Sequence, residues 1–84
     1  MNEVTYSRKA AKQLRKLQSS DSQTVRAGCN ALANMPNCTN VKALENHKYQ
    51  YRLRVGNFRV FFSFDGEIRI VLIEEVKKRD ERTY

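Results

Sequence analysis

The chain has 84 residues, enough for one small domain with a modest core and limited stability to spare. Its 16 lysines and arginines against 9 acidic residues give a formal net charge of +7, which favours polyanionic partners such as RNA, DNA or an acidic protein. Two cysteines without a CxxC pair, beside a single histidine, argue against structural zinc and read as reduced thiols. No secretory core or membrane-length apolar run is present, so a cytoplasmic location away from the membrane is expected.

Glu3 to Tyr6 alternates polar and apolar, with Val4 and Tyr6 on one side, and predicts a short strand. Ser7 is placed to cap the helix that follows. From Arg8 to Leu17 the apolar residues Ala10, Ala11, Leu14 and Leu17 form one helical stripe. Arg8, Lys9, Lys12, Arg15 and Lys16 occupy the remaining surface, either as an ordinary solvated face or as a surface for phosphates. Ser20 to Gln23 has the spacing of a capping box. Val25, Cys29, Leu32 and Ala33 then mark a second helix, with Cys29 in the core rather than catalytic. Gly28 inside that helix costs about 1 kcal/mol relative to alanine, and close approach to a sheet would justify it. Pro36 ends the helix by pushing Met35 out of the helical region.

Asn37 to His47 carries little pattern beyond an extended piece around Lys42 to Leu44. From Tyr49 the period becomes two: Tyr49, Tyr51, Leu53 and Val55 alternate with Gln50, Arg52 and Arg54. Gly56-Asn57 is a two-residue turn, Phe58 to Phe64 the returning strand, Asp65-Gly66 a second two-residue turn, and Glu67 to about Val76 the last strand. The expected class is α+β with the order β-α-α-β-β-β, two N-terminal helices covering one face of an antiparallel sheet.

The first turn pairs Arg54 with Arg59 and Arg52 with Phe61. The second would pair Phe64 with Glu67, Phe61 with Ile70 and Arg59 with Leu72. One face then carries Tyr49, Tyr51, Leu53, Val55, Phe58, Val60, Phe62, Phe64, Val71 and Ile73 and packs on the helices. The other carries Arg52, Arg54 and Arg59 beside Phe61, Ser63, Ile68, Ile70 and Leu72. Like charges directly opposite on a sheet are destabilising. Either the guanidiniums splay into water, or they converge on a phosphate, which turns their repulsion into shared attraction. The sequence ends in the basic run Val76-Lys77-Lys78-Arg79 and, after Asp80 to Thr83, Tyr84.

The element order, the segment YRLRVGNFRVFF from Tyr51 to Phe62, the Asp-Gly hairpin and the ending VKKRDERTY together resemble the RelE/ParE toxin superfamily. The resemblance spans nearly the whole chain, counted as a single domain over residues 1–84, and is most specific from Tyr51 to Arg79. For RelE-like members it implies a ribosome-dependent endoribonuclease that cuts mRNA in the A site by attack of a ribose 2′-OH on the adjacent phosphorus. It implies a cognate antitoxin and no metal or organic cofactor. Arg52 and Arg54 fall where RelE has strand lysines. Arg59 matches the phosphate-clamping arginine of the family motif, Arg79 that of the C-terminal lysine-arginine pair, and Tyr84 resembles the terminal tyrosine.

The implied RNA- and ribosome-binding cations are Lys9, Lys12, Arg15, Lys16, Lys77 and Lys78. The implied antitoxin-binding residues are Phe61, Ile68, Ile70 and Leu72, unless the chain's own termini cover them. Arginine holds its proton too tightly to replace a basic lysine. The acidic base of YoeB-like members falls near Lys42. The base therefore stays open among His47, Glu45, Lys78 and Tyr84, or cleavage rests on electrostatic stabilisation. Histidine exchanges protons near neutral pH, though no orienting partner of His47 is legible. The competing reading is a ParE-like toxin that binds DNA gyrase without catalysis; a plain RNA-binding module lacks its aromatic signature here.

Overall fold

The computed structural model describes residues 1–79. In chain order the elements are β1 (Glu3–Tyr6), α1 (Arg8–Arg15), α2 (Ser19–Asn30), a 3-10 turn (Ala31–Asn34), β2 (Val41–Ala43), β3 (Tyr51–Val55), β4 (Phe58–Asp65) and β5 (Ile70–Lys78). They form one sheet in the order β1-β5-β4-β3-β2. The α+β class and the helices on one face are as expected. The sheet is mixed, however: β1 runs parallel to β5, while the other pairs are antiparallel. The extended piece near Lys42 supplies a fifth, edge strand.

Ser7 caps α1, its Oγ accepting from the Ala10 N–H at 3.0 Å, and also donates to the Glu74 carbonyl at 2.9 Å. One hydroxyl thus starts the helix and docks it against β5. The capping box at Ser20 does not form. Gln18 occupies the N-cap position without a side-chain bond, and Ser20 lies inside α2, its carbonyl accepting from the Thr24 hydroxyl at 2.9 Å. Met35 leaves the helical region (ψ 141°), as the following proline requires.

The core lies between the helices and one face of the sheet. Ala10, Leu14, Val25, Cys29 and Leu32 meet Leu53, Phe58, Val60, Phe62, Val71, Ile73 and Val76. Burial pushes the Cys29 thiol up to about 11, which keeps it protonated and unreactive. Gly28 sits where α2 crosses β3: a Cβ there would lie 2.6 Å from Val55 Cγ2. The helix therefore needs glycine at that crossing despite its propensity cost.

The β3–β4 register is the expected one, with Val55 opposite Phe58, Arg54 opposite Arg59, Leu53 opposite Val60 and Arg52 opposite Phe61. Gly56 takes φ 54° at the turn, a conformation that favours glycine. The β4–β5 register is not. The hairpin closes at Asp65 opposite Ile70, leaving residues 66–69 as a four-residue loop. Asp65 Oδ1 accepts from the Glu67 and Ile68 N–H groups at 2.9 and 3.3 Å, and Arg69 takes φ 57°. The aspartate side chain thus organises a longer loop instead of a two-residue turn.

This loop slides Val71 and Ile73 opposite Phe64 and Phe62, where they are fully buried. A bulge opposite Phe61 and Phe62 then shifts the register again, placing Glu75 opposite Phe61, Val76 opposite Val60 and Lys77 opposite Arg59. Helix α1 satisfies backbone groups of β5 here: beyond the Ser7 bond to Glu74, Gln13 Oε1 accepts from the Val76 N–H at 2.7 Å.

Candidate functional site on the open face of the sheet

The open face carries two adjoining rows across the strands. One row reads Lys42, Arg52, Phe61, Glu75; the next reads Arg54, Arg59, Lys77. Arg79 follows, its backbone N–H donating to the Asn57 carbonyl, which draws it back to the β3–β4 turn beside the same row. The expected cluster of Arg52, Arg54, Arg59 and Arg79 is therefore gathered at one end of the face. The register shift adds Lys77 next to Arg59 in place of Leu72.

Arg54, Arg59, Lys77 and Arg79 are exposed and Arg52 is half-buried. Among the described residues, none of these arginines forms an ion pair, and Arg52 Nε is a buried donor with no partner. Lys42 lies directly opposite Arg52 and extends the cationic row.

The chief anion of the face is Glu75, which is 7% exposed. It accepts the Tyr49 hydroxyl at 2.6 Å and has the Lys9 ammonium at 3.4 Å and that of Lys77 at 4.0 Å. The Tyr49 hydrogen bond, followed by the two lysines, holds its carboxyl below the usual range despite burial. The same bond raises Tyr49 to about 12. Sequence reasoning missed this pair. It placed Tyr49 on the helix-facing side, yet Tyr49 precedes β3, where alternation does not govern it, and its ring packs on Phe61 at 5.3 Å. The bulge that turns Glu75 to the open face has no clear pattern in the sequence.

His47 completes an aromatic cluster with these residues. Its ring stacks on Phe61 at 5.4 Å and 15°, and its Nδ1 accepts the Tyr49 backbone N–H at 3.0 Å. Phe61, covered in this way, is only 7% exposed and stands apart from the open apolar patch. Ile68, Ile70 and Leu72 instead line a cleft of about 440 Å³ with Gln50, Ser63, Phe64 and Asp65, at the opposite end from the arginines. Ile68 lies in the loop rather than on a strand and is 63% exposed.

Of the helical cations, Lys9 reaches the site through Glu75, whereas Lys12, Arg15 and Lys16 are exposed along α1. Lys78 lies opposite Phe58, off the arginine row, and Glu45 is exposed between β2 and β3. Tyr84 lies outside the described residues. No three His, Cys, Asp or Glu side chains gather as a metal site among the described residues, and no helix among them is long and apolar enough to cross a membrane. The chemistry on view is that of a cationic, hydrogen-bond-donating surface, suited to oxyanions and to charge that develops on a phosphate.

A family model described as the ParE toxin of type II toxin-antitoxin systems matches residues 4–83. Among solved structures, the chain resembles the archaeal RelE–RelB complex from Pyrococcus horikoshii, with a TM-score of 0.78 at 23% identity over 98% of both chains. It resembles the isolated E. coli RelE toxin with a TM-score of 0.78 at 17% identity, covering 96% of this chain and 87% of that one. The RelBE2 toxin-antitoxin complex from Mycobacterium tuberculosis gives a TM-score of 0.78 at 21% identity, over 93% and 98% of the two chains. No curated protein matches significantly.

Proposed function

Since the chain belongs to the ParE toxin family of type II toxin-antitoxin systems, within the RelE/ParE superfamily, we propose that this toxin is a ribosome-dependent endoribonuclease. It cleaves mRNA in the A site and so inhibits translation. The observation that carries this reading is the opposition of Arg54 and Arg59, with Lys77 beside them and no ion pair to either arginine among the described residues. Such an array is costly without a ligand and favourable around a phosphodiester.

The ribose 2′-oxygen attacks the adjacent phosphorus, the bond to the 5′-oxygen breaks, and a cyclic phosphate and a 5′-hydroxyl result. Arg59 and Arg54 hold the non-bridging oxygens as charge builds on them. Arg52, whose Nε–H lacks a partner among the described residues, and Arg79 flank that phosphate. Lys9, Lys12, Arg15, Lys16, Lys77 and Lys78 contact the surrounding RNA backbone, and Tyr84 contributes from the C-terminal end. The partner that silences the toxin is a cognate antitoxin, in keeping with the RelE–RelB complexes among the similar structures. The cleft at Ile68, Ile70 and Leu72 offers it apolar anchors.

The second reading, gyrase inhibition without catalysis, is favoured by the family match being to ParE. Primer extension on mRNA in a purified translation system, with and without ribosomes, separates the two. Codon-spaced cuts only with ribosomes, lost in Arg59→Ala, are expected. Intact mRNA with undiminished translation would overturn the nuclease reading, and loss of gyrase supercoiling would then support the second.

A further inference from the structure

The geometry points to His47 as a catalytic residue that acts as a neutral hydrogen-bond donor to the substrate phosphate, not as a base. This inference rests on the nuclease reading. Two observations carry it. The first is position. The His47 ring stacks on Phe61, which lies directly opposite Arg52 and two residues along β4 from Arg59. Opposed Cβ atoms on neighbouring strands are about 5 Å apart, so the imidazole rests on the residue opposite Arg52, in the row next to that of Arg54 and Arg59. His47 itself is exposed.

The second observation is the hydrogen bond to its inner nitrogen. Nδ1 accepts the Tyr49 backbone N–H at 3.0 Å. A backbone amide only donates, so Nδ1 must keep its lone pair. The proton of the neutral ring therefore sits on Nε2. A base at Nε2 would need that nitrogen bare, which moves the proton to Nδ1 and sets it against the amide. An acid of the imidazolium type meets the same conflict. The remaining role is donation from Nε2–H to a phosphate oxygen, where it shares developing charge with the arginines. The stack on Phe61 and the tilted contact with Tyr49, 5.9 Å between centroids, fix the ring plane. The charged and titratable neighbours of this cluster include Lys48 over the Tyr49 ring, Glu75 on the Tyr49 hydroxyl with Lys9 and Lys77 beside it, Glu74 near Tyr49, and Arg52 opposite Phe61.

The test compares single-turnover cleavage of ribosome-bound mRNA by the wild type, His47→Ala and His47→Gln, with melting curves for folding. Glutamine carries an N–H donor near the position of Nε2 but cannot act as a base. Alanine is expected to slow cleavage about 100-fold, the scale for one transition-state donor, and glutamine to stay within about tenfold of the wild type. Nitrogen NMR of the ring is expected to show Nδ1 bare and Nε2 protonated. An alanine variant as fast as the wild type would overturn the inference and leave the nuclease reading standing. A glutamine variant as slow as alanine, or a protonated Nδ1, would overturn the donor role. A wild type that leaves mRNA intact would end both readings.

Discussion

Replacing Glu75 with glutamine removes a negative charge from a chain of net charge +7, and the geometry gives the expected cost. Glu75 is 7% exposed and accepts the Tyr49 hydroxyl at 2.6 Å. A hydrogen bond to a charged group contributes about 1.5–3 kcal/mol, and a neutral one about 1 kcal/mol. Glutamine keeps the acceptor, so about 1 kcal/mol is lost there. The Lys9 side chain is 54% exposed, which limits its ion pair to a few tenths, roughly, of a kcal/mol. The new amide also places donors beside two ammonium groups. The sum is about 1–2 kcal/mol, a fall in Tm of roughly 5–15 °C for a domain of this size.

The pH dependence follows from the depressed carboxyl. Its native pKa lies below the unfolded value of about 4.3. Its contribution is therefore complete above that value and lost as pH falls through the native pKa. Urea unfolding of both proteins at pH 7, repeated in steps of falling pH through the acid range where the native carboxyl protonates, checks this. The gap between them is expected at pH 7 and should close on acidification. Equal stability at pH 7, or a gap that persists in acid, would refute the assignment of Glu75 as a charged, buried acceptor.

Gly28→Ala should destabilise the fold by about 1–2 kcal/mol despite the better helix propensity, because the stiff Val55 side chain cannot clear a Cβ at 2.6 Å; Gly28→Ala with Val55→Ala should recover part of that, read by urea unfolding. At the alkaline end Tyr49, raised to about 12, favours the native state fully below its unfolded pKa near 10 and ceases to do so as pH rises through about 12. Tyr49→Phe should therefore flatten the loss of stability in that window, while Tyr6, raised to about 12 by burial, retains part of it. Binding of a single-stranded RNA should weaken with salt, and Arg54→Ala with Arg59→Ala should reduce the log–log slope by about 1.4, roughly 0.7 per lost phosphate contact. An unchanged slope in a fluorescence titration would remove those residues from the RNA contact.

The hairpin that opposes Arg54 and Arg59 was legible because its turn leaves little choice: two residues, the first a glycine at φ 54°. Once that turn is set, alternation assigns each β3 and β4 side chain to a face. The next hairpin escaped the same logic. Asp65-Gly66 has the composition of a two-residue turn, but the Asp65 carboxylate accepts from two backbone N–H groups and supports a longer loop. The bulge further along β5 is held by Ser7, the cap of α1, and by Gln13 within it, distant contacts that no local pattern announces. Together these shifts put Glu75 and Lys77, rather than Ile70 and Leu72, beside Phe61 and Arg59. The arginines were therefore readable from sequence, but their neighbours were not. Likewise Tyr49 and His47 lie in the segment before β3, where tertiary packing rather than alternation sets side-chain direction.

Those neighbours decide how the cationic face persists. Exposed like charges in opposition cost up to about 1 kcal/mol, which a marginal domain can carry but has no reason to keep without a return. The nearby carboxylate could have cancelled them, yet Glu75 is committed to Tyr49, Lys9 and Lys77 in the adjoining row. It anchors the aromatic floor beneath His47 and draws Lys77 into the same row as Arg59. Its charge is thus spent on organising the rim, while Arg54 and Arg59 retain their donors for an outside anion. An acidic side chain opposite Arg59 would give a more stable sheet and, on the proposed reading, a weaker phosphate site. The placement of Glu75 one row away keeps its stabilising contacts off the Arg54–Arg59 row, and on the proposed nuclease reading Glu75→Gln and Arg59→Ala should fail differently: the first mainly in folding, the second mainly in cleavage.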